Sequence, residues 1–305
     1  RVYGADAYFQ FYNRLQFDGY FLRSHTPAKS GDDQARRFAA AWRDDELTYG
    51  AEYNLVQVNF NPEVGFVRRR DMAHYAGNFR WSPLIASGSS VRNLNFGANL
   101  DYFGRSQTGT VETRTQFVTA GIAFENGASI DIAGEETFDR LRKTLNIPSG
   151  NPRVEIAAGD YGYRAYTASF RSGSRYRVGG NGHVTWGDFY NGRRRSVASD
   201  VTWRANNHLN INLRYNRDRV TLPNGAFTTN LVGTRVLYAF NPRVFINGFV
   251  QYNADTHRVS TNIRFDWRHH PLSDIYLVYN DSRDTISGQL RERAFIVKVT
   301  NLYRF

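Results

Sequence analysis

The chain has 305 residues, no cysteine, one methionine, 22 Phe and 19 Tyr, with a formal net charge of +11 and a mean hydropathy of −0.55. That composition excludes a disulfide framework and thiolate metal sites, and no apolar run approaches the roughly 18 residues that a membrane helix needs. It leaves a transmembrane β-barrel open, because only alternate strand residues then face lipid, and the positive charge belongs to the lumen and to the rim facing lipopolysaccharide phosphates.

Taken in order, the chain alternates almost from its first residue, as expected of a mature form or of a piece of one. Tyr3, Ala5, Ala7, Phe9 and Phe11 oppose Gly4, Asp6, Tyr8 and Gln10; after an Asn13-Arg14 turn, Leu15, Phe17, Gly19 and Phe21 continue the pattern. Strand side chains alternate with period two, so each set belongs to one face. The polar segment 24–34 precedes Phe38, Ala40 and Trp42, and a turn at Asp44-Asp45 leads into Tyr49, Ala51, Tyr53 and Leu55. Leu94 to Tyr102 and Val118 to Phe124 repeat the alternation up to Asn126-Gly127, a strong hairpin signal. Segment 135–153 breaks it, and Thr137 to Leu145 reads as a helical turn or two ended by Pro148-Ser149-Gly150. From Leu209 onward the alternation is clearest, through Val244–Tyr252 and Val259–Trp267 to the final stretch. There Phe295, Val297, Val299, Tyr303 and Phe305 form an apolar stripe that ends on an aromatic residue, interrupted at Asn301. Such a stripe looks like the closing strand of an outer-membrane barrel and implies recognition by the barrel-assembly machinery.

About 17 strands result, with scarcely any helix. Connections alternate between short ones, from Asn13-Arg14 to Pro271-Leu272, and long ones at 24–35, 59–71, 103–111, 135–153, 217–227 and 281–292; the 82–92 link is the exception. Short periplasmic turns and long external loops are the asymmetry of outer-membrane barrels. An odd count starts Arg1 on the outer side, so N-terminal strands are expected to be missing from this stretch.

Phe60-Asn61-Pro62-Glu63-Val64-Gly65-Phe66-Val67-Arg68, Leu222-Pro223-Asn224-Gly225, Gln251-Tyr252-Asn253, Leu277-Val278-Tyr279-Asn280 and Val297-Lys298-Val299-Thr300 resemble one family of large outer-membrane proteins. Its full-length members carry an N-terminal module similar to family-nine carbohydrate-binding modules, followed by a long barrel. The resemblance implies that this module and the first barrel strands lie outside residues 1–305, and it implies no catalytic residues.

For chemistry, Ser169 and His183 beside Gly179-Gly180-Asn181-Gly182 are the best hydrolase candidates, and a lumen histidine beside crowding-relief glycines is the plainer reading. Asp255 with His257 falls in a loop, and His269-His270 are neighbours that point opposite ways, a poor metal pair. The expectation is no enzyme, no cofactor, no metal and no nucleic-acid partner. Arg204, Arg214, Arg235, Gln251, Asn262, Arg264, Asp266, Tyr276 and Lys298 are expected on one polar wall, suited to anionic or polyhydroxylated solutes. Asp200–Arg214 and Asp266–Arg264 are candidate self-neutralising pairs. Arg68, Arg69, Arg70, Arg193, Arg194 and Arg195 are placed against lipopolysaccharide or in solvated loops.

The sequence therefore predicts an all-β, antiparallel transmembrane barrel of about 16–18 strands, a single domain over 1–305 that the missing N-terminal strands would make part of a larger barrel, in the outer membrane of a Gram-negative bacterium. The leading function is a porin-like or substrate-selective channel, with saccharides among its solutes. A scaffold enclosing or docking a plug, lipoprotein or other periplasmic partner is the alternative, and an outer-membrane hydrolase the third. A loop in 135–153 is the candidate constriction.

Overall fold

A computed structural model describes residues 1–27, 29–63, 65–86, 88–147, 154–173 and 175–302. The alternating segments form β1 (Val2–Phe11), β2 (Leu15–Ser24), β3 (Gln34–Arg43), β4 (Leu47–Val56), β5 (Met72–Trp81), β6 (Val91–Gly104), β7 (Val111–Phe124) and β8 (Ser129–Leu141). A short pair follows, β9 (Leu145–Ile147) and β10 (Val154–Ile156). Then come β11 (Gly159–Arg171), β12 (Val178–Phe189), β13 (Gly192–Arg204), β14 (Leu209–Leu222), β15 (Gly225–Asn241), β16 (Val244–Asn253), β17 (Arg258–His270), β18 (Ser273–Asp284) and β19 (Leu290–Val299).

Apart from β9 and β10, which pair only with each other, these strands make one 17-stranded sheet. Each is antiparallel to its neighbour in the chain, with β8 passing directly to β11. A twisted sheet of this breadth curls instead of staying flat, giving a barrel wall. Two edges remain: β1 bonds to β2 and β19 to β18, with no ladder between β1 and β19 among the described residues. Every residue of β1 is exposed.

Four sequence expectations are revised. Residues 135–141 are strand, not helix, because β8 continues in register with β11 as far as Leu141–Gly159. Segment 217–227 is not a loop: β14 and β15 run to a tight Pro223-Asn224 turn, paired up to Leu222–Gly225. The first turn is centred on Tyr12 and Asn13, both at positive φ (53° and 57°), one residue earlier than read from the sequence. At Asn126-Gly127 only Gly127 takes positive φ, 84°, so the hairpin uses a glycine-terminated turn rather than two left-handed residues. The Pro148-Ser149-Gly150 stop, Val64, Tyr303 and Phe305 lie outside the described residues.

Register separates the two faces. Val197, Val201, Leu213, Val232, Val250 and Ile263 share the outward face and are all exposed. Water would penalise that surface; a hydrocarbon core does not. Aromatic residues flank the apolar band on this same face. At the end with short turns lie Phe11–Phe17 (ring centroids 6.3 Å apart), Trp42–Tyr49 (6.5 Å), Trp81–Phe96 (5.5 Å) and Tyr238–Phe240 (4.9 Å). Towards the other end lie Tyr53–Tyr75 (5.0 Å), Tyr75–Tyr102 (5.8 Å) and Tyr166–Trp186 (6.2 Å). Two aromatic girdles around an apolar band mark the two membrane interfaces.

The buried apolar residues lie on the opposite, inward face, at the end carrying loops 25–33, 57–71 and 142–158. One cluster is a cross-strand row, Ala35, Val56 and Met72, capped by Phe60 from loop 57–71, with Tyr20, Leu22, Val67 and Phe103 packed around it. The other joins Val154 and Ile156 of β10 to Val220 and Leu222 of β14, with Leu141, Ile147 and Tyr161 against them. Each fully buried Val, Ile, Leu, Met or Phe among them contributes about 1.5–3 kcal/mol. Two segments thus fold back onto the inner wall at one mouth.

Candidate solute path and its outer mouth

The inward face below these segments is polar, and its charges are largely tied together. Asp200 lies opposite Arg214 in the ladder and is bound by it at 3.0 Å, while the Asn212 amide donates to Asp200 Oδ1 at 2.5 Å. Arg264 and Asp266, two apart on β17, pair at 2.5 Å, and the Arg264 guanidinium lies 4.6 Å from the Tyr276 ring centroid. Farther round the same inward face, Arg37 bridges Asp18 and Glu52. Asn262 donates to Asn280 at 2.5 Å, and Thr167 and Thr185 share a bond of 2.8 Å.

All nine residues read from the sequence as lumen-lining fall on this inward face, since register links β13 through β19. They differ in what holds them. Arg214 and Arg264 are neutralised by carboxylates, and Arg204 donates to Tyr176 O at 3.1 Å. Arg235 stacks over Phe249 at 5.3 Å. Arg235 and Lys298 have no ion-pair partner among the described residues. Of the nine, these two cations therefore lack a carboxylate counter-charge among the described residues.

At the mouth, an interlocked polar layer joins neighbouring loops. Asp71 is ion-paired with Arg105 at 2.8 Å and accepts a hydrogen bond from the Ser106 hydroxyl at 2.8 Å. Glu112, at a bulge in the β6–β7 ladder, gathers Arg69 and Arg142. Gln107 donates to Asp32 at 3.0 Å, and Asn224 donates to Glu155 O at 2.6 Å, fastening the β9–β10 hairpin to the β14–β15 turn. The Tyr190 phenol donates to Asp139 at 2.9 Å; burial, reinforced by that bond to a carboxylate, pushes its pKa well above the usual tyrosine value.

The arginine clusters do not behave as units. In the first, Arg68 and Arg70 are exposed, whereas Arg69 turns to Glu112 and lies over the Phe103 ring at 5.3 Å. In the second, strand alternation sends Arg193 and Arg195 outward and Arg194 inward, where it binds Asp218 at 2.6 Å. Arg69 and Arg194 thus face carboxylates of the chain, not the lipid side. In the closing stripe Phe295, Val297 and Val299 share the outward face. Ser169 and His183 are directly opposite in the ladder, but no hydrogen bond joins them among the described residues. A Cβ on Gly180 would lie 2.4 Å from Asp200 O, so that glycine serves close strand approach. No group of three His, Cys, Asp or Glu among the described residues is placed to hold a metal.

An unbroken antiparallel ladder, an apolar outer band between two aromatic girdles, and bulky loops gathered at one end decide the class. The chain is an outer-membrane β-barrel protein. No protein-family profile and no curated protein matches it, the carbohydrate-module family resembled by its segments included. Among solved structures it is similar to the siderophore receptor PirA from Pseudomonas aeruginosa (TM-score 0.43, 12% identity, 92% of this chain and 66% of that one). It is also similar to the outer-membrane expressed OmpT of Vibrio cholerae (TM-score 0.37, 9% identity, 94% and 95%). The chain spans just under two-thirds of the length of the siderophore receptor.

Sequence reasoning missed the inward packing of Phe60, Val67, Val154 and Ile156, and the outward Arg217 and Arg219. The first set lies in segments too short for a periodic signal; the second lies in a stretch read from the sequence as a loop, which the structure shows as the outer part of β14.

Proposed function

We propose that this barrel conducts small polar solutes, with a preference for anionic or polyhydroxylated ones such as saccharides, and that loop 57–71 and the β9–β10 hairpin narrow its outer mouth. What supports a path is the division of the inward face: apolar packing is confined to the mouth, and the wall below it carries Asn, Thr, Tyr and paired charges. Arg235 and Lys298 supply the uncompensated positive charge that favours anions. Single-channel recording in planar bilayers, with reversal potential in a salt gradient, tests this. Steady conductance with anion preference is the expected result; a folded but silent barrel overturns it.

A second reading, a scaffold that docks a partner polypeptide, is favoured by one feature. The free edges of β1 and β19 offer backbone donors and acceptors to an added strand.

A further inference from the structure

We infer that the outward face of β13 and β14 binds the phosphates of an outer-leaflet phosphoglycolipid, lipopolysaccharide, through Arg193, Arg195, Arg217 and Arg219. All four are exposed, and register places Arg195 directly opposite Arg219, with Arg193 opposite Thr221 and Arg217 opposite Val197. Like charges directly opposite one another destabilise a ladder.

Elsewhere on this outward rim the chain neutralises its own arginines. Arg140 pairs with Asp160 at 2.5 Å, Arg114 and Arg164 share Glu136, and Arg283 and Arg293 share Asp281. The β13–β14 quartet has no ion pair of this kind among the described residues. Its one inward neighbour, Arg194, already has Asp218. The nearest carboxylate, Asp188, lies opposite Arg193 in the ladder and makes no ion pair with the quartet, so four arginines face one acidic side chain and an anion from outside the chain fits the excess charge.

Depth points to a lipid headgroup. Arg195 is the cross-strand neighbour of the girdle residue Trp186, and Arg217 follows Tyr215 by two positions on the same face. The quartet thus begins where the apolar band ends. Arg193, Arg195 and Arg219 border an open cleft of about 700 Å³, which Asp188, Tyr190, Asn191 and Pro223 also line. Guanidinium forks bind phosphate oxygens in pairs, and the acyl chains of the same molecule would lie along the apolar band below.

Delipidated protein in detergent, titrated with lipopolysaccharide and followed by thermal unfolding, tests the assignment. Intact lipopolysaccharide should raise the Tm, dephosphorylated lipopolysaccharide should not, and R195Q/R219Q should weaken the response at least about tenfold. Without glycolipid the double variant should be no less stable than wild type, since a like-charge pair is gone. R195K/R219K, which keeps the charge but loses the fork, should bind with intermediate strength, and Arg194→Gln should bind like wild type. An unchanged titration in either double variant overturns the inference. So does a full response to inorganic phosphate alone, which would make this an ion site without a lipid.

Discussion

The side-chain amide of Asn224 donates a 2.6 Å hydrogen bond to the backbone oxygen of Glu155, joining residues 69 apart and holding the β9–β10 hairpin across the mouth. Beneath that bond Val154 and Ile156 are essentially inaccessible, at 0% and 1% exposure, against Val220 and Leu222. Ile156→Asp would bury an unpaired carboxylate there, and the hairpin should leave the wall instead. Because β9 and β10 lie outside the main ladder, the barrel itself should still fold. We expect larger single-channel conductance for Ile156→Asp, a smaller increase for Asn224→Ala, and new protease cleavage within 142–158. Conductance equal to wild type, with cleavage gained, would show that the hairpin does not constrict the path.

On the inner wall, Asp200 holds both Arg214 and Asn212. Asp200→Asn removes the negative member of the pair and leaves Arg214 to the solute. The reversal potential should move toward stronger anion preference, whereas Lys298→Glu should move it the other way. The effect should shrink in high salt, where these half-exposed charges are screened. Equal selectivity in both variants would remove this wall from the conduction path.

Asp266 is fully buried while its partner Arg264 is 44% exposed, and Asp266 Oδ1 has no hydrogen-bond partner among the described residues. Arg264→Met leaves a buried carboxylate without its counter-charge. A wholly buried pair broken in this way costs about 3–5 kcal/mol, and exposure of the arginine reduces the expected cost to about 2 kcal/mol. Arg264→Met/Asp266→Leu should recover most of that loss, since an apolar pair needs no counter-charge. Urea unfolding in lipid vesicles, followed by tryptophan fluorescence, measures both.

Much of the wall was legible from period two alone: the faces of Val259–Trp267 and of the Arg204-to-Lys298 set need nothing else. Two kinds of feature were not. Strand extensions above the membrane, such as Thr137–Leu141 and Arg217–Leu222, lose apolar alternation because both faces there meet water or loops, so they resemble loop or helix. Inward packing by Phe60 and Ile156 depends on contacts between segments distant in sequence, which local pattern does not encode. The run Arg193-Arg194-Arg195 shows the middle case. Alternation assigns the faces, but only the ladder reveals Asp218 beside Arg194 and Arg219 beside Arg195.

The last prediction concerns the two free edges. A backbone N–H or C=O left unpaired in hydrocarbon costs several kcal/mol, so edges at β1 and β19 are not tolerated in the membrane core without a partner or direct contact. With 17 strands, β1 and β19 run in the same direction, and a direct junction between them would be parallel. One strand, or any odd number, antiparallel to both would complete the ladder in the pattern of every other pair. Hydrogen exchange on the 305-residue chain in lipid should therefore find the edge amides of β1 and β19 exchanging fast while those of β12 to β17 stay protected. Material isolated from native membranes should protect both edges if a strand covers them there, as the docking reading requires. Protection of both edges already in the isolated chain would mean direct parallel closure, leaving no place for a partner strand.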